Sequence, residues 1–271
     1  VIVGLLVALA IQSAESSAPL LVIRELTDAR GAQVRRELEP AFTKSGFRVA
    51  VLAREITDAA DLDAFLDETA KAGAIDRAQV VVAGFSAAGV EAARLALAHP
   101  KRFCALLLPA ALQPIPDGSD LKAVAPHLPF FLVYGGRDDT AAKDIGEHAK
   151  KQLEDAGAHV EWQLLEKADH FGVLRDGAAP MAAWSATAAF CVSRMRTADE
   201  AAAAGKKADA KKLLDAIVAK HPKTRFAADA KKRAAAMLID TRRFYKIRRG
   251  RAVRGRWARI GSIPSRRCGR G

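Results

Sequence analysis

Three residues that lie far apart in the sequence, Ser86, Asp138 and His170, have the side chains needed to turn a hydroxyl group into a nucleophile. A serine hydroxyl is a weak nucleophile until a base takes its proton, and the base works best when a third group orients it. Histidine is the common base near neutral pH, and a carboxylate is the common orienting group. This chemistry requires a fold that brings the three side chains together.

The stretch GFSAAG, residues 84–89, places Ser86 between an apolar run and a helical pattern. A sharp strand–turn–helix holds the residue at its apex in a strained conformation and needs small neighbours. The helix that follows offers free N–H groups and a positive dipole end, which suit an oxyanion. The stretch departs from G-x-S-x-G, because Ala88 replaces the second glycine and Gly89 comes one position later. A structural serine in a tight turn is the alternative interpretation.

The other two residues directly follow predicted strands. Asp138 and its neighbour Asp139 come after an apolar run at 128–136, and His170 comes after a run at 159–166. Because the carboxyl ends of parallel strands meet at one edge of a sheet, we expect the acid, the base and the serine to converge there. Asp139 is an alternative to Asp138 as the orienting acid.

Apolar runs alternate with amphipathic stretches from residue 19 onward. Strands are predicted at 19–25, 47–53, 79–84, 103–109, 128–136 and 159–166. Helices are predicted at 31–46, 58–73, 88–98, 140–156 and 178–194. This order predicts an α/β fold, with a doubly wound, mostly parallel sheet of about six strands and helices on both faces. The connection 109–127 is too short for a helical cap domain, so we expect an open, shallow site.

In their order and in their positions after strands, these three residues resemble the catalytic triad of the α/β-hydrolase family. The resemblance covers residues 19–195 and is closest to small dienelactone-hydrolase and carboxylesterase-like members. Their acid commonly lies three residues after a glycine, as Asp138 does after Gly135. The resemblance implies that Ser86 attacks an acyl carbonyl, that His170 transfers the proton, and that the acid orients the imidazole and stabilises its cation.

The resemblance also implies an oxyanion hole and residues that border the substrate. One expected donor is the N–H of Ala87, and the second is the backbone of Leu26 or Thr27, after the first strand. The family often has His-Gly at that place, whereas this chain has RELTD. Losing one such donor costs about 3–4 kcal/mol of transition-state stabilisation. Phe85 and Tyr134 are expected to border the substrate site, although Tyr134 is first of all a core residue of its strand.

These interpretations predict a serine esterase that forms an acyl-enzyme on small or exposed carboxylic esters, free or borne on a polymer. No CxxC or Cys/His cluster indicates a metal, and no cofactor is predicted. Cys104, Cys191 and Cys268 are expected to be buried or incidental thiols. A non-catalytic binding or scaffold protein of the same fold is the alternative, and an amidase or peptidase would use the same three residues.

Two segments outside 19–195 have a different composition. Residues 1–18 carry an apolar core of about ten residues and then small residues. This pattern is too short to span a membrane and favours a signal peptide and an exported, periplasmic or secreted protein; a buried strand and a cytoplasmic location are the alternatives. Residues 196–240 predict a helical hairpin that breaks at His221-Pro222 and resembles one tetratricopeptide-like unit, a possible docking surface for a protein partner.

The positive charge is concentrated at the end of the chain. The net charge is +12, and residues 241–271 hold eleven Arg and one Lys without an acidic residue, while residues 1–240 hold 31 basic and 31 acidic side chains. The main body therefore shows no bulk preference for nucleic acid. We expect a disordered tail. Binding of RNA, anionic lipid or an acidic polymer is the less favoured interpretation, and a shifted reading frame would give a similar composition.

Overall fold

The computed structural model describes residues 17–116, 120–139 and 142–237. By their internal contacts the residues form two units, one ending at Arg194 and the other beginning at Met195. The predicted signal peptide lies almost wholly outside the described residues, and the basic tail at 241–271 lies entirely outside them.

The first unit is built on a sheet of six parallel strands. The strands are β1 Ala18–Arg24, β2 Arg48–Leu52, β3 Ile75–Gly84, β4 Ala105–Pro109, β5 Phe130–Gly135 and β6 Val160–Leu165. They lie in the order β2-β1-β3-β4-β5-β6, and each neighbouring pair is parallel. The chain moves outward from β1 to β2 and then returns to the other side of β1. The loops after β1 and β3 therefore diverge, which leaves the crevice where α/β proteins bind ligands.

Helices cover both faces of the sheet. They are α1 Asp28–Lys44, α2 Ala59–Lys71, α3 Ala88–Ala98, α4 Leu121–Val124, α5 Ala142–Asp155 and α6 Gly172–Ala203, with a 3-10 turn at Ala125–His127. Alternate residues of β5 show the two layers. Leu132 belongs to a buried cluster with side chains of α2, α3 and α5, whereas the ring of Phe131 contacts Trp184 on α6. The predicted doubly wound α/β architecture is confirmed.

Two helices are longer than predicted, and both differences come from local signals at their ends. Helix α1 begins at residue 28 instead of 31, because the Thr27 hydroxyl accepts a hydrogen bond from the Arg30 N–H at 3.3 Å and caps the first turn. Helix α6 covers 172–203 instead of 178–194. No glycine or proline interrupts residues 195–203, and the chain turns only at Gly205, whose φ is +78°.

The second unit contains two further helices, α7 Lys207–Lys220 and a helix over residues 225–237, which we label α8. The predicted break lies between them, where the Thr224 hydroxyl accepts a hydrogen bond from the Ala227 N–H at 3.2 Å. Each helix has one buried apolar stripe: Ala210, Leu214 and Ile217 on α7, and Phe226, Ala227 and Ala230 on α8. The resemblance to a tetratricopeptide unit stays a prediction.

Candidate active site

Ser86 lies at the apex of the turn between β3 and α3, in the left-handed region with a φ of 55°. Two glycines make this turn possible. A Cβ on Gly84 would lie 2.5 Å from the Ala88 carbonyl oxygen, and a Cβ on Gly89 would lie 2.4 Å from the Cβ of Ala111. The loop after β4 therefore approaches α3 at Gly89, which lies one position later than the second glycine of the usual pattern. At the usual position stands Ala88, whose small side chain is buried.

The structure brings the three candidate catalytic side chains into one hydrogen-bonded chain. The Nε2 atom of His170 lies 2.8 Å from the Ser86 hydroxyl oxygen, and its Nδ1 atom lies 2.7 Å from Oδ2 of Asp138. Because an ionised carboxylate can only accept, Nδ1 carries the proton and Nε2 is left to accept the serine hydroxyl. The Asp138 side chain is fully buried, and 19 % of the His170 side chain is exposed.

The loops that carry Asp138 and His170 are joined by close backbone contacts. The Arg137 N–H donates to the Ala168 carbonyl at 3.0 Å. A Cβ on Gly135 would lie 2.4 Å from that same carbonyl oxygen, so only glycine allows this approach. The distance between acid and base is therefore fixed by the backbone of the ends of β5 and β6.

Two further carboxylates, those of Asp139 and Asp169, lie next in sequence to Asp138 and His170. Asp139, the alternative orienting acid, is exposed. Asp169 accepts a hydrogen bond from the Gly172 N–H at 2.6 Å, which satisfies a free donor at the start of α6. Of the two adjacent candidates, Asp138 is the residue that pairs with His170.

The predicted oxyanion donors lie at the expected edge of the sheet. Ala87 is helical, with φ −61° and ψ −30°, and within the described ranges its N–H donates no hydrogen bond. Arg24 is in register with Gly84, and Leu26 lies two residues beyond the end of β1, as Ser86 does beyond the end of β3. Leu26 is 50 % exposed, and the hydroxyl of Thr27 caps α1, which leaves the backbone N–H of Thr27 a candidate as well. The backbone N–H groups of Ala87, Leu26 and Thr27 thus remain the candidates.

Phe85 and Tyr134, predicted to border the substrate, are both buried. The Phe85 ring packs against the rings of His170, at 4.9 Å between centroids, and Phe171, at 5.3 Å. Tyr134 is fully buried and its hydroxyl donates to the Ala111 carbonyl at 3.0 Å. Burial, and then the charge of Asp138, raise the pKa of this tyrosine above its ordinary value. Tyr134 therefore supports the loop after β4, and the predicted substrate contact is not compatible with its burial.

Three large apolar side chains on the described part of the surface are exposed: Leu26, Leu112 and Phe171. They follow β1, β4 and β6, so all three lie at the edge that carries Ser86. Leu112 and Phe171 were not predicted as site residues. Their only sequence signal is their position directly after strand ends, one of them next to His170.

A buried acid, Glu25, directly precedes the candidate oxyanion loop and was also not predicted. It is completely inaccessible to solvent, and within the described residues neither carboxyl oxygen meets hydrogen-bond geometry. Burial raises the pKa of the Glu25 carboxyl from 4.5 to about 7; the N–H of Leu26 and the charges of Arg30 and Arg24 oppose that rise. Glu25 is therefore largely protonated in the folded chain below pH 7.

In the Glu25→Gln variant, the free energy of unfolding is expected to depend less on pH than it does in the native chain. Between about pH 4.5 and 7 the folded chain holds a proton that the unfolded chain has released, so the free energy of unfolding falls as pH rises, by up to about 3 kcal/mol. Glutamine cannot ionise, and this fall should disappear. Urea unfolding at pH 5 and pH 8 measures the difference, with the exposed Glu161→Gln as control. An equal fall in the native chain and in Glu25→Gln would contradict this account.

In the described ranges, no group of three or more His, Cys, Asp or Glu side chains could hold a metal ion. Cys104 and Cys191 are both buried. None of the helices in the described part of the chain is long and apolar enough to cross a membrane.

No protein-family model and no curated protein matches this chain. Solved structures do resemble it. A ferulic acid esterase superimposes with a TM-score of 0.51 and 15% identity, over 66% of this chain and 88% of its own. Esterase LipW from Mycobacterium marinum superimposes with a TM-score of 0.50 and 15% identity, over 65% of this chain and 75% of its own. At this identity the similarity shows the fold alone.

Proposed function

We propose that this chain, which has the α/β-hydrolase fold, is a serine esterase that cleaves carboxylic esters through Ser86, His170 and Asp138. One observation carries the proposal: an unbroken path from the serine hydroxyl through both imidazole nitrogens to a buried carboxylate, with distances of 2.8 and 2.7 Å. The positive φ of the serine supports it, because non-glycine residues in sparsely populated backbone regions cluster at active sites.

In the first half of the reaction, the Ser86 oxygen attacks the ester carbonyl carbon while its proton passes to Nε2 of His170. The imidazolium is stabilised by the carboxylate of Asp138. Collapse of the tetrahedral intermediate breaks the bond to the alcohol, which takes the proton from Nε2 as it leaves. The product of this half is an acyl ester on Ser86.

In the second half, a water molecule replaces the alcohol. His170 takes one proton of the water as the oxygen attacks the acyl carbon, and the bond to the Ser86 oxygen then breaks. The serine recovers its proton from Nε2, and the carboxylic acid is released. The 19 % exposure of the His170 side chain is consistent with water reaching this nitrogen.

The negative charge of both tetrahedral intermediates needs donors that are already in position. The Ala87 N–H lies at the positive end of α3, where the helix dipole adds to the hydrogen bond. The backbone N–H of Leu26 or of Thr27, across the crevice after β1, is the candidate for the second donor. Because this loop lacks His-Gly, we propose an oxyanion hole made by backbone groups alone.

The acyl group that this site accepts is proposed to be small or exposed. Within the described residues, the connection after β4 contains only the four-residue helix α4 and a 3-10 turn, which could not enclose a long chain. We expect kcat/KM for 4-nitrophenyl acetate and butyrate to exceed that for the dodecanoate by about tenfold or more. Initial rates below the micellar concentration measure this, with anilides of the same acids to test amide cleavage. A preference for the dodecanoate would refute the proposal for the acyl group.

A further inference from the structure

A cavity of about 620 Å³ lies between the loop after β4 and helix α5. Its size is within the range of small-molecule sites in proteins. It is lined by Leu112, Gln113, Pro114, Ile115, Pro116, Leu121, Asp144, Ile145, His148, Ala149 and Gln152. Neither Ser86 nor His170 lines it, so the cavity is a neighbour of the candidate catalytic centre and not the centre itself.

Leu112 connects the cavity to the nucleophile. Its N–H donates to the carbonyl oxygen of Ser86 at 3.2 Å, and its side chain, 37 % exposed, forms part of the cavity wall. The preceding residue, Ala111, is held from two sides, by the Tyr134 hydroxyl and by the close approach of Gly89. One residue of the cavity wall is therefore held by a direct hydrogen bond to the backbone of Ser86.

The chemistry of the lining is divided between an apolar floor and a polar rim. Pro114, Pro116 and Ala149 are buried in the floor. Asp144, His148 and Gln152 follow each other at four-residue intervals along α5 and are exposed, so they form one polar stripe at the rim. No lysine or arginine is present among the described lining residues, and the one carboxylate lies where it would repel an anion.

We propose that this cavity receives the larger, uncharged and mainly apolar group of the ester substrate, and that Asp144 makes it reject groups carrying negative charge. The inference rests on the proposed esterase function and names the substrate class for that site. A ring-sized apolar group fits the floor, and hydrogen-bonding groups at its outer end would meet the polar stripe. An ester whose distal end is a carboxylate would bring a second negative charge towards Asp144.

The first experiment tests the apolar floor with ethyl acetate, ethyl 3-phenylpropanoate and 3-phenylpropyl acetate, hydrolysed in a pH-stat. We expect kcat/KM for at least one phenyl ester to exceed that for ethyl acetate by about tenfold; the two phenyl esters show whether the acyl or the alcohol part enters. Ile145→Trp, which fills the floor, should remove that advantage and leave ethyl acetate within twofold. No advantage for either phenyl ester, or an advantage that Ile145→Trp leaves intact in a folded protein, overturns the proposal.

The second experiment tests the effect of the Asp144 charge with ethyl 3-(4-carboxyphenyl)propanoate and its 4-carbamoyl analogue, which differ in charge but hardly in shape. If the first experiment shows that the alcohol part enters the cavity, the corresponding substituted 3-phenylpropyl acetates are used instead. We expect the native chain to prefer the carbamoyl ester, and Asp144→Lys to shift the ratio of kcat/KM towards the carboxylate about fivefold. Glu154→Lys makes the same change of charge on the exposed face of the same helix, ten residues away, and should leave the ratio within twofold. An equal shift in both variants, or none in either, contradicts the role of Asp144.

A binding measurement separates this inference from the proposed activity. In the Ser86→Ala background, calorimetric titration with 3-phenylpropanamide should show binding that Ile145→Trp weakens at least tenfold. If no ester is hydrolysed but this binding is found, the proposed function fails and the cavity proposal survives as a binding site. If esters are hydrolysed but no binding is found and the phenyl group gives no advantage, only the cavity proposal fails.

Discussion

Ser86→Ala is expected to lower kcat for ester hydrolysis by about a million-fold, with the protein still folded. The variant lacks the only atom in the proposed mechanism that forms a bond to the substrate, and enzymes with this arrangement lose activity of that order when the nucleophile is removed. Alanine keeps the Cβ and tolerates the turn as well as serine does, so the change acts on the chemistry and not on the fold. Steady-state hydrolysis of 4-nitrophenyl acetate measures the loss.

The matched control is Ser185→Ala, the same chemical change at a fully buried serine on α6. Its hydroxyl is not part of the proposed mechanism, so activity should stay within about twofold of the native chain. A Ser86→Ala protein that keeps more than about 1 % of the native kcat would mean that another group is the nucleophile, and the proposed mechanism would then fail.

Asp138→Asn is expected to lower kcat by about ten-thousand-fold and to change KM little. The buried carboxylate accepts the Nδ1 proton of His170 at 2.7 Å, which keeps Nε2 free to act as the base. An amide in its place can hold the imidazole in the wrong tautomer, and it supplies no charge for the imidazolium. The effect should fall on kcat, because the acid touches the base and not the substrate.

Asp139→Asn is the control, since it removes a carboxylate one residue away that is exposed. We expect its kcat to stay within about threefold of the native value. A large loss in Asp139→Asn together with a small loss in Asp138→Asn would reverse the assignment of the orienting acid.

Much of the fold could be predicted, because its elements carry local signals. Helix α3 begins and ends at residues 88 and 98 as predicted, since a glycine-bounded turn precedes it and His99-Pro100 follows it. The parallel sheet followed from apolar strands that alternate with helices. The extension of α6 to Ala203 was missed, because the change in composition near residue 196 is not a helix stop.

The convergence of Ser86, Asp138 and His170 at one edge was expected because each follows a parallel strand. The sequence favoured Asp138 over Asp139, because Asp138 lies three residues after Gly135, but it could not show which carboxylate meets the imidazole. Adjacent residues point in different directions, and the direction depends on how the loop after β5 meets the loop after β6. That contact depends on Gly135 and Ala168, which are 33 positions apart in the chain.

The burial of Glu25 had no clear local signal, whereas the apolar run at 128–136 already indicated that Tyr134 is a core residue. Glu25 becomes inaccessible because Gly31 on α1 approaches it closely, and Tyr134 because Trp162 and α5 cover its ring. The cavity beside Leu112 arises in the same way, from a loop and a helix that meet only in the folded chain. These features depend on tertiary packing, and periodicity in the sequence does not report it.

Covalent labelling with a fluorophosphonate, followed by peptide mapping, tests the central claim most directly. Such reagents react with a serine whose hydroxyl is activated by a base and whose phosphoryl adduct is held by oxyanion donors. The account predicts one adduct per native chain, on the peptide that carries Ser86, and no adduct on folded Ser86→Ala. A folded native chain that stays unlabelled, or that is labelled at another residue, would contradict it.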